Sequence, residues 1–248
     1  MNICVAQLQS IAGDLEVNLQ KHLDLIALAA REKVDLICFP ELSLSAYEPT
    51  LAAELAFDAD KVNIPSIQEQ SDQHGMLICL GMPVRFRNEL GEAEVRISML
   101  CFQPFNPVRV YSKQLLHSSE LPFFAPGHCP LFLEYGNERI APAICYESKQ
   151  CSHNDAAIAA GASLYMASVA KDESSLAAVT SGLYSTLAKR SGMKIMMANN
   201  HGPNHDFIGH GQSAIWDAQG NCVAQLGVAG DGIVVFDTIT GKGFTKTL

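Results

Sequence analysis

Short apolar runs alternate with segments of helical periodicity along most of the chain. The apolar runs are almost continuously hydrophobic, which is typical of β-strands that are covered on both faces. We predict strands at Ile3–Leu8, Val34–Phe39, Met76–Met82, Ile97–Phe102, Val108–Tyr111, Ile140–Tyr146, Ser163–Val169, Ile195–Ala198, Ser213–Trp216, Val223–Leu226 and Ile233–Phe236.

The strongest helical pattern covers Leu15–Lys33, where Asp14 is placed to cap the N-terminus. One face of this helix is predicted to carry Leu15, Leu19, Leu23, Ile26 and Ala30. Weaker helical patterns cover Leu51–Phe57, Pro65–His74, Ser152–Ala160 and Ser174–Ser191. The last third changes to strand, turn and strand, with residues 217–221 as a hairpin loop. Strands that alternate with helices, together with antiparallel pairs, predict a layered α/β fold with a mixed sheet.

Composition supports one large domain. The chain has 248 residues, of which 48% are hydrophobic and 17% charged, so it can bury a sizeable core. It contains no internal repeat and no Pro/Gly/Ser-rich linker, and we expect a single domain over residues 1–248. The 17 basic and 26 acidic residues give a formal charge of −9, which argues against a general nucleic-acid binder.

The chain carries no evident targeting or membrane segment. Residues 1–20 contain no Lys or Arg, unlike the start of a signal peptide. The longest uncharged stretch, residues 156–170, is too short and too mixed for a membrane span. We therefore expect a cytoplasmic protein without membrane contact. Eight cysteines are scattered without a CxxC pair, and seven of them are interpreted as small buried hydrophobic residues.

Three apolar runs lead directly into residues that can do chemistry: Glu41, Lys113 and Cys145. Ligands gather at the carboxyl ends of strands in α/β sheets, so these three ends could share one pocket. Each residue alone could equally be a loop carboxylate, a surface amine or a buried thiol. A thiol with an ordinary pKa near 8.5 requires a base or a cationic neighbour to become a nucleophile. Together, a carboxylate and a lysine beside the cysteine would supply both.

Several segments, in this order and spacing, resemble motifs of the nitrilase superfamily of carbon–nitrogen hydrolases. The resemblance runs through most of the chain. The segments are Val5–Leu8, the helix start with Asp14 and Asn18, Asp35–Leu42, Tyr111–Lys113 followed by Glu120 and Pro126–Gly127, Ile144–Glu147, Ala198–Gly202 and Gly211–Ile215.

The resemblance implies a four-layer α-β-β-α sandwich of the nitrilase type with mixed sheets, paired through helices into a homodimer. It also implies a site that uses no metal and no cofactor. In that site Cys145 attacks the substrate and Glu41 acts as the general base. The resemblance gives Lys113 and the backbone N–H of Tyr146 the role of stabilising the oxyanion, and Glu120 that of orienting Lys113.

The chain also departs from the family pattern. Members commonly carry Arg-Ala-x-Glu-Asn where this chain has Leu187–Ser191. Pro142 lies in the strand before the nucleophile, where its missing N–H predicts a bulge or a sheet edge. Nitrile-cleaving members typically have tryptophan after the cysteine, whereas Tyr146 follows Cys145 here. An amide substrate is therefore favoured over a nitrile.

Other groups of residues suggest competing sites. His201, His205 and His210 could bind zinc, but their segment is rich in turn residues and does not place them on one helix face. Residues 209–214 match the dinucleotide pattern GxGxxA, but they precede a strand instead of a helix. Cys151 could be a second reactive thiol at a helix start, or an ordinary residue there.

The sequence is best interpreted as a cysteine amidohydrolase that cleaves a small non-peptide amide with water through a thioester. N-carbamoyl hydrolysis, acyl transfer to another acceptor and a non-catalytic scaffold stay open as alternatives, as does a metal hydrolase built on the histidines. Glu147 could assist in the pocket or be held in a structural hydrogen bond. Pocket walls are expected at Tyr47, Phe123, His128, Lys171 and His201.

Overall fold

The computed structural model describes residues 1–248, except for the side chain of Thr180. The helices are α1 (Leu15–Arg31), α2 (Ala52–Leu55), α3 (Pro65–His74), α4 (Cys151–Ala159), α5 (Glu173–Thr180) and α6 (Leu183–Ser191), with 3-10 turns at Pro49–Leu51 and Cys145–Lys149. The strands are β1 (Asn2–Gln7), β2 (Leu36–Cys38), β3 (Phe57–Asp58), β4 (Leu77–Arg87), β5 (Ala93–Phe102), β6 (Arg109–Ser112), β7 (Leu133–Tyr135), β8 (Glu138–Ile144), β9 (Leu164–Val169), β10 (Lys194–Asn199), β11 (His201–Pro203), β12 (Ile208–His210), β13 (Ala214–Trp216), β14 (Cys222–Gln225), β15 (Gly232–Asp237) and β16 (Lys242–Thr247).

Two mixed sheets form the centre of the molecule. The first has the order β16-β15-β1-β2-β4-β5-β6, with β3 beside β4, and the second has the order β14-β13-β10-β9-β8-β7. Strands β1, β2 and β4 are parallel in the first sheet, and β8, β9 and β10 are parallel in the second. Antiparallel strands flank both parallel centres.

The hydrophobic cores define four layers. Side chains of both sheets meet in one core, which includes Leu36 from the first sheet and Met166 from the second. A second core joins the outer face of the first sheet to Leu25 of α1 and Ile67 of α3. A third joins the other sheet to α4, α5 and α6, for example through Leu187. The predicted α-β-β-α sandwich with mixed sheets is confirmed.

Helix α1 is capped as predicted, since the Asp14 side chain accepts a hydrogen bond from the Val17 N–H at 3.1 Å. Its most buried face differs from the predicted leucine stripe, which is only partly buried at most positions. Asn18 and His22 lie at the centre of the buried face and are fully buried. Sequence periodicity could not show this because both residues are polar.

These two polar residues fix the loop that follows β2. The Asn18 Nδ2 donates to the Leu44 carbonyl at 2.9 Å, and the His22 Nε2 lies 2.9 Å from the Ser43 Oγ. Burial lowers the pKa of His22 to about 4, so its ring is neutral at pH 7. The loop that they hold begins with Glu41.

Several predicted elements require correction. The helix predicted over Ser174–Ser191 is two helices, because Gly182 adopts a φ of 102° between them. The helix predicted at Leu51–Phe57 is reduced to α2, and Phe57 begins β3. Strands β7, β11, β12 and β16 were not predicted, since they are short or polar.

The expectation that all cysteines except the nucleophile are buried is wrong for three of them. Cys129, Cys151 and Cys222 are exposed, whereas Cys4, Cys38, Cys79 and Cys101 are buried.

The expectation of a sheet edge at Pro142 is confirmed. Strand β7 pairs β8 only as far as Ile140, so beyond that point β8 has β9 as its single neighbour. Pro142 therefore leaves no ladder hydrogen bond unmade on its open side. Within the described part of the chain, no helix combines the length and apolar character needed to cross a lipid bilayer.

Candidate active site

Three strand ends converge where the two sheets face each other. Glu41 follows β2 and Lys113 follows β6 in the first sheet, while Cys145 follows β8 in the second. The Lys113 Nζ lies 2.8 Å from the Glu41 Oε1, and the charges of both groups act on Cys145. The structure therefore brings together the three residues that the sequence placed at strand ends.

Close packing fixes the Glu41 loop against β4. A Cβ added at Gly81 would lie 2.2 Å from the Leu42 nitrogen and 2.7 Å from the Pro40 carbonyl oxygen. No side chain fits there, so glycine lets β4 run directly beneath the loop. The Ser168 Oγ donates to the Phe39 carbonyl at 2.8 Å and ties the same loop to the second sheet.

Lys113 lies between two carboxylates. Its Nζ donates to the Glu41 Oε1 at 2.8 Å and to the Glu120 Oε1 at 2.6 Å, and the lysine is fully buried. Burial alone would lower the pKa of Lys113, but the negative charges of Glu41, Cys145 and Glu120 raise it above its ordinary value. The ammonium is therefore charged at neutral pH, and one of its three donors remains for another acceptor.

Glu120 is itself held in place. Its Oε1 also accepts from the Tyr47 hydroxyl at 3.1 Å, and its Oε2 accepts from the His117 N–H at 2.7 Å. The segment after it returns to the lysine, where the Gly127 N–H donates to the Lys113 carbonyl at 2.7 Å. These contacts fix the lysine ammonium relative to the pocket.

Glu41 has the properties of a general base. Burial raises the pKa of Glu41 to about 7, and the charge of Glu120 adds to this rise while Lys113 opposes it. Its Oε2 is buried and has no hydrogen-bond partner among the described residues. A carboxylate that titrates near neutral pH and keeps one oxygen free can accept and return a proton.

Cys145 begins a 3-10 turn and has a φ of 45°, in the left-handed region that side chains rarely adopt. This conformation places backbone strain at Cys145. Burial raises the pKa of the Cys145 thiol, Glu41 raises it further, and the ammonium groups of Lys171 and Lys113 oppose these effects. The resting thiol is therefore protonated at neutral pH and needs a base.

Glu147 joins the segment around Lys113 to the segment around Cys145. Its carboxylate accepts from the Ile144 N–H at 2.7 Å, the Gln114 N–H at 2.6 Å and the Tyr111 hydroxyl at 2.9 Å. Ile144 directly precedes Cys145, whereas Gln114 and Tyr111 lie one residue after and two residues before Lys113. Of the two roles left open for Glu147, the contacts match the structural hydrogen bond.

A pocket of about 480 Å³ opens above Cys145. Tyr47, Phe123 and Lys171 line it, as expected, together with Tyr146. Tyr146 is the second residue of the 3-10 turn, where backbone N–H groups have no partner within the turn. The pocket is therefore bounded by the 3-10 turn that begins at Cys145 and by the loops after several strands.

Two expected wall residues lie elsewhere. His128 is exposed and lies outside the pocket lining. His201 begins β11, and its Nε2 lies 2.6 Å from the Oδ1 of Asp231, the residue before β15. Neither histidine is among the lining residues. Position next to a motif did not reveal which way these side chains point.

Ten lining residues were not anticipated as parts of the pocket. Most of them lie on loops, and Lys149 could have been found as the end of the turn that begins at Cys145. His205 reaches the pocket because its N–H donates to the Tyr47 carbonyl at 3.1 Å. The unanticipated residues are Pro49, His117, Ser119, Lys149, Ala170, Asp172, Ser175, His205, Asp206 and Phe207.

The competing motifs fit other roles. His201 pairs with Asp231, and His205 pairs with Glu48 at 2.7 Å. In the described part of the chain, no group of three metal-binding side chains gathers. Gly209 and Gly211 lie in the β11–β12 hairpin and the loop that follows it, before β13 and not before a helix, which confirms the expected context.

Comparisons with known proteins place this geometry in context. The profile of the family described as carbon-nitrogen hydrolase matches residues 2–239. The solved structure of the NitN amidase from Nesterenkonia sp. AN1 is similar with a TM-score of 0.83 at 25% identity, over 96% of this chain and 92% of that chain.

Two variants of the same Nesterenkonia amidase show the same fold at 24% identity and a TM-score of 0.81. One shows the Michael addition of acrylamide at its active-site cysteine and matches 96% of this chain and 92% of that chain. The other is a complex with butyramide and matches 95% of this chain and 89% of that chain.

A more distant similarity links the chain to the glutamine-dependent NAD(+) synthetase of Aquifex aeolicus, at 26% identity over 152 residues. The match covers 58% of this chain and spans only 25% of the length of that protein.

Proposed function

The chain belongs to the carbon-nitrogen hydrolase family, and we propose that it is a cysteine amidohydrolase that converts a small non-peptide amide and water to a carboxylic acid and ammonia or an amine. The observation that carries this proposal is the buried Glu41–Lys113–Glu120 cluster beside Cys145, at the floor of an open pocket. A site of this kind supplies a nucleophile, a base and a fixed positive charge.

The first half of the proposed reaction forms a thioester. The Cys145 Sγ attacks the amide carbon, and its proton passes to the free Oε2 of Glu41. The tetrahedral intermediate then collapses, the carbon–nitrogen bond breaks, and Glu41 gives the same proton to the departing nitrogen. Because the resting thiol has a raised pKa, proton transfer to Glu41 accompanies the attack instead of preceding it.

The negative oxygen of the intermediate needs fixed donors. The unused donor of the Lys113 ammonium can supply one, and the backbone N–H of Tyr146 can supply another. Both groups are held before substrate binds, Lys113 by its two carboxylates and Tyr146 by the 3-10 turn. In this proposal Glu120 is a positioning residue, since it acts through Lys113.

The second half of the proposed reaction hydrolyses the thioester. Glu41 takes a proton from water, the resulting hydroxide attacks the thioester carbon, and the carbon–sulfur bond breaks. The Sγ recovers the proton from Glu41, which restores the resting site. Acyl transfer would use the same steps with another acceptor in place of water.

The test of the proposal is ammonia release from a panel of substrates. The panel contains primary amides, monoamides of dicarboxylic acids, N-carbamoyl amino acids and simple nitriles, each offered to the wild type and to Cys145→Ala. We expect release from amides by the wild type alone. Release by both proteins would contradict the nucleophile assignment, and release by neither would favour a non-catalytic scaffold.

We also propose that the active protein is a cytoplasmic homodimer with a single domain over residues 1–248. The family resemblance supports pairing through helices, and the sequence pattern supports the location. Light scattering after size-exclusion chromatography tests the oligomeric state, and a mass of one chain at assay concentration would contradict it.

A further inference from the structure

A second buried lysine lies next to the nucleophile. The Lys171 Nζ is 3.8 Å from the Cys145 Sγ, and this lysine is only 2% exposed. The loop that carries it is fixed, because the Lys171 N–H donates to the Asn199 Oδ1 at 2.8 Å and its carbonyl accepts from the Asn199 Nδ2 at 3.1 Å. Lys171 is therefore a built part of the pocket and not a mobile surface chain.

Lys171 differs from Lys113 in its partners. Lys113 contacts two carboxylates, whereas no carboxylate lies within ion-pair distance of Lys171 among the described residues. The thiol is a weak acceptor, so most of the bonding capacity of this ammonium is unused. A buried cation without an anionic partner is costly, and such a charge in a binding pocket indicates that a ligand supplies the partner.

Thioester formation in the proposed reaction increases the need of the Lys171 ammonium for an anionic partner. When Cys145 becomes a thioester, its sulfur can no longer form a thiolate, so Lys171 keeps no neighbour that could become its anionic partner. A neutral acyl chain would leave the ammonium buried and unpaired through the second half of the reaction. An acyl chain with its own carboxylate would restore an ion pair at that stage.

The neighbouring charges favour an anion at the same place. Lys149 lines the same pocket and forms no ion pair within the described part of the chain. Burial lowers the pKa of Lys149, and the charge of Lys171 adds to this effect. The pocket also contains Asp172, whose carboxylate already accepts from the Ser175 N–H at 2.8 Å as the cap of α5. A further carboxylate, Asp206, is exposed.

We propose that Lys171, assisted by Lys149, binds a carboxylate of the substrate, so that the preferred amide is the monoamide of a short dicarboxylic acid. This inference rests on the proposed function. The short Nζ–Sγ distance limits the substrate, because a hydrogen-bonded carboxylate oxygen lies within about 7 Å of the Sγ. Roughly one to three carbon atoms between the carbonyl and the carboxylate satisfy that limit.

The first test compares the binding of two ligands that differ at one end. Succinamate carries a carboxylate where butyramide carries a methyl group. Calorimetry with Cys145→Ala, which cannot turn them over, should show succinamate bound at least about 30-fold more tightly, as expected for a pair whose loss costs ~2 kcal/mol. Equal binding, or tighter binding of butyramide, would overturn the inference.

The second test removes the charge. Adding Lys171→Met to the Cys145→Ala variant should abolish the preference for succinamate, and adding Lys149→Met should weaken it by a smaller factor. Lys61→Met serves as the matched control because Lys61 is exposed and lies outside the pocket. A preference that survives Lys171→Met, in a variant whose thermal unfolding shows an intact fold, would contradict the assignment.

The third test separates this inference from two other outcomes. If Lys171 instead stabilises the thiolate, Lys171→Met in the otherwise wild-type protein will slow the alkylation of Cys145 by iodoacetamide and leave the ligand preference unchanged, which overturns the inference. If the wild type hydrolyses neutral amides without preferring succinamate, the inference fails and the proposed function stands. If succinamate binds selectively but no amide is cleaved, the proposed function fails and the carboxylate site stands.

Discussion

Replacement of Lys113 by methionine tests the charge arrangement of the site. Lys113→Met keeps much of the side-chain length but leaves Glu41 and Glu120 as two buried carboxylates without the ammonium that joins them at 2.8 and 2.6 Å. Loss of one partner from a buried ion pair costs ~3–5 kcal/mol. That is a large part of a typical unfolding free energy of ~5–15 kcal/mol.

The cost should depend on pH in a defined direction. Without Lys113, which lowers the pKa of Glu41, burial and the charge of Glu120 raise the pKa of Glu41 in the folded state further above its unfolded value. The folded variant then holds a proton that the unfolded chain releases, so it loses stability as pH rises above about 4.3, the ordinary pKa of glutamate. In the wild type the pKa of Glu41 is about 7, so the stability lost relative to the wild type should be larger at pH 8 than at pH 5.

The assay is urea unfolding of the wild type, Lys113→Met and the exposed control Lys61→Met at both pH values, with ammonia release measured in parallel. Lys113→Met should fold at pH 5 and lose at least about 100-fold in turnover, which is the effect typical of a lost oxyanion donor. A stability loss below about 1 kcal/mol at pH 8, or one that is equal at both pH values, would refute the reasoning.

Three further predictions concern neighbouring groups. Glu120→Gln removes a charge that raises the pKa of Glu41, so the acidic limb of kcat/KM, expected at about pH 7 in the wild type, should move to lower pH; a shift to higher pH would contradict the assignment. Glu147→Gln should lower the unfolding free energy by ~2 kcal/mol and also reduce kcat, because backbone donors of both motifs lose a charged acceptor; unchanged turnover in a destabilised variant would limit its role to stability. The free energy of unfolding of Cys145→Gly should be about 1 kcal/mol larger than that of Cys145→Ala, since glycine tolerates the left-handed backbone. Greater stability of the alanine variant would exclude strain at this position.

Much of the site was predictable from the sequence because its chemistry lies at strand ends. Apolar runs marked the buried strands, and the residues that follow them reach the same end of the two sheets whatever the details of the loops. For that reason the sequence alone predicted that Glu41, Lys113 and Cys145 lie close together. The apolar runs and helical patterns predicted a layered α/β fold with a mixed sheet, whereas the four layers were predictable only from the resemblance to the family.

The remaining pocket walls were not predictable, because they depend on how loops fold over the strand ends. His201 lies close in sequence to a late motif, yet its ring pairs with Asp231 and does not line the pocket, while His205 reaches the pocket through a backbone hydrogen bond. The buried face of α1 was missed for a related reason. Asn18 and His22 are buried since they bind the Glu41 loop, a role that hydrophobic periodicity cannot detect.

The central claim is that Cys145 carries the acyl group of the substrate and that Glu41 is needed both to form and to remove this thioester. Intact-protein mass spectrometry of the wild type, quenched with acid during turnover of the amide that it hydrolyses best, measures this directly. We predict an added mass equal to the acyl group, located on Cys145 by peptide analysis and absent from Cys145→Ala and Glu41→Gln treated in the same way. Ammonia release by Cys145→Ala, or an adduct found on Cys151 in place of Cys145, would contradict it.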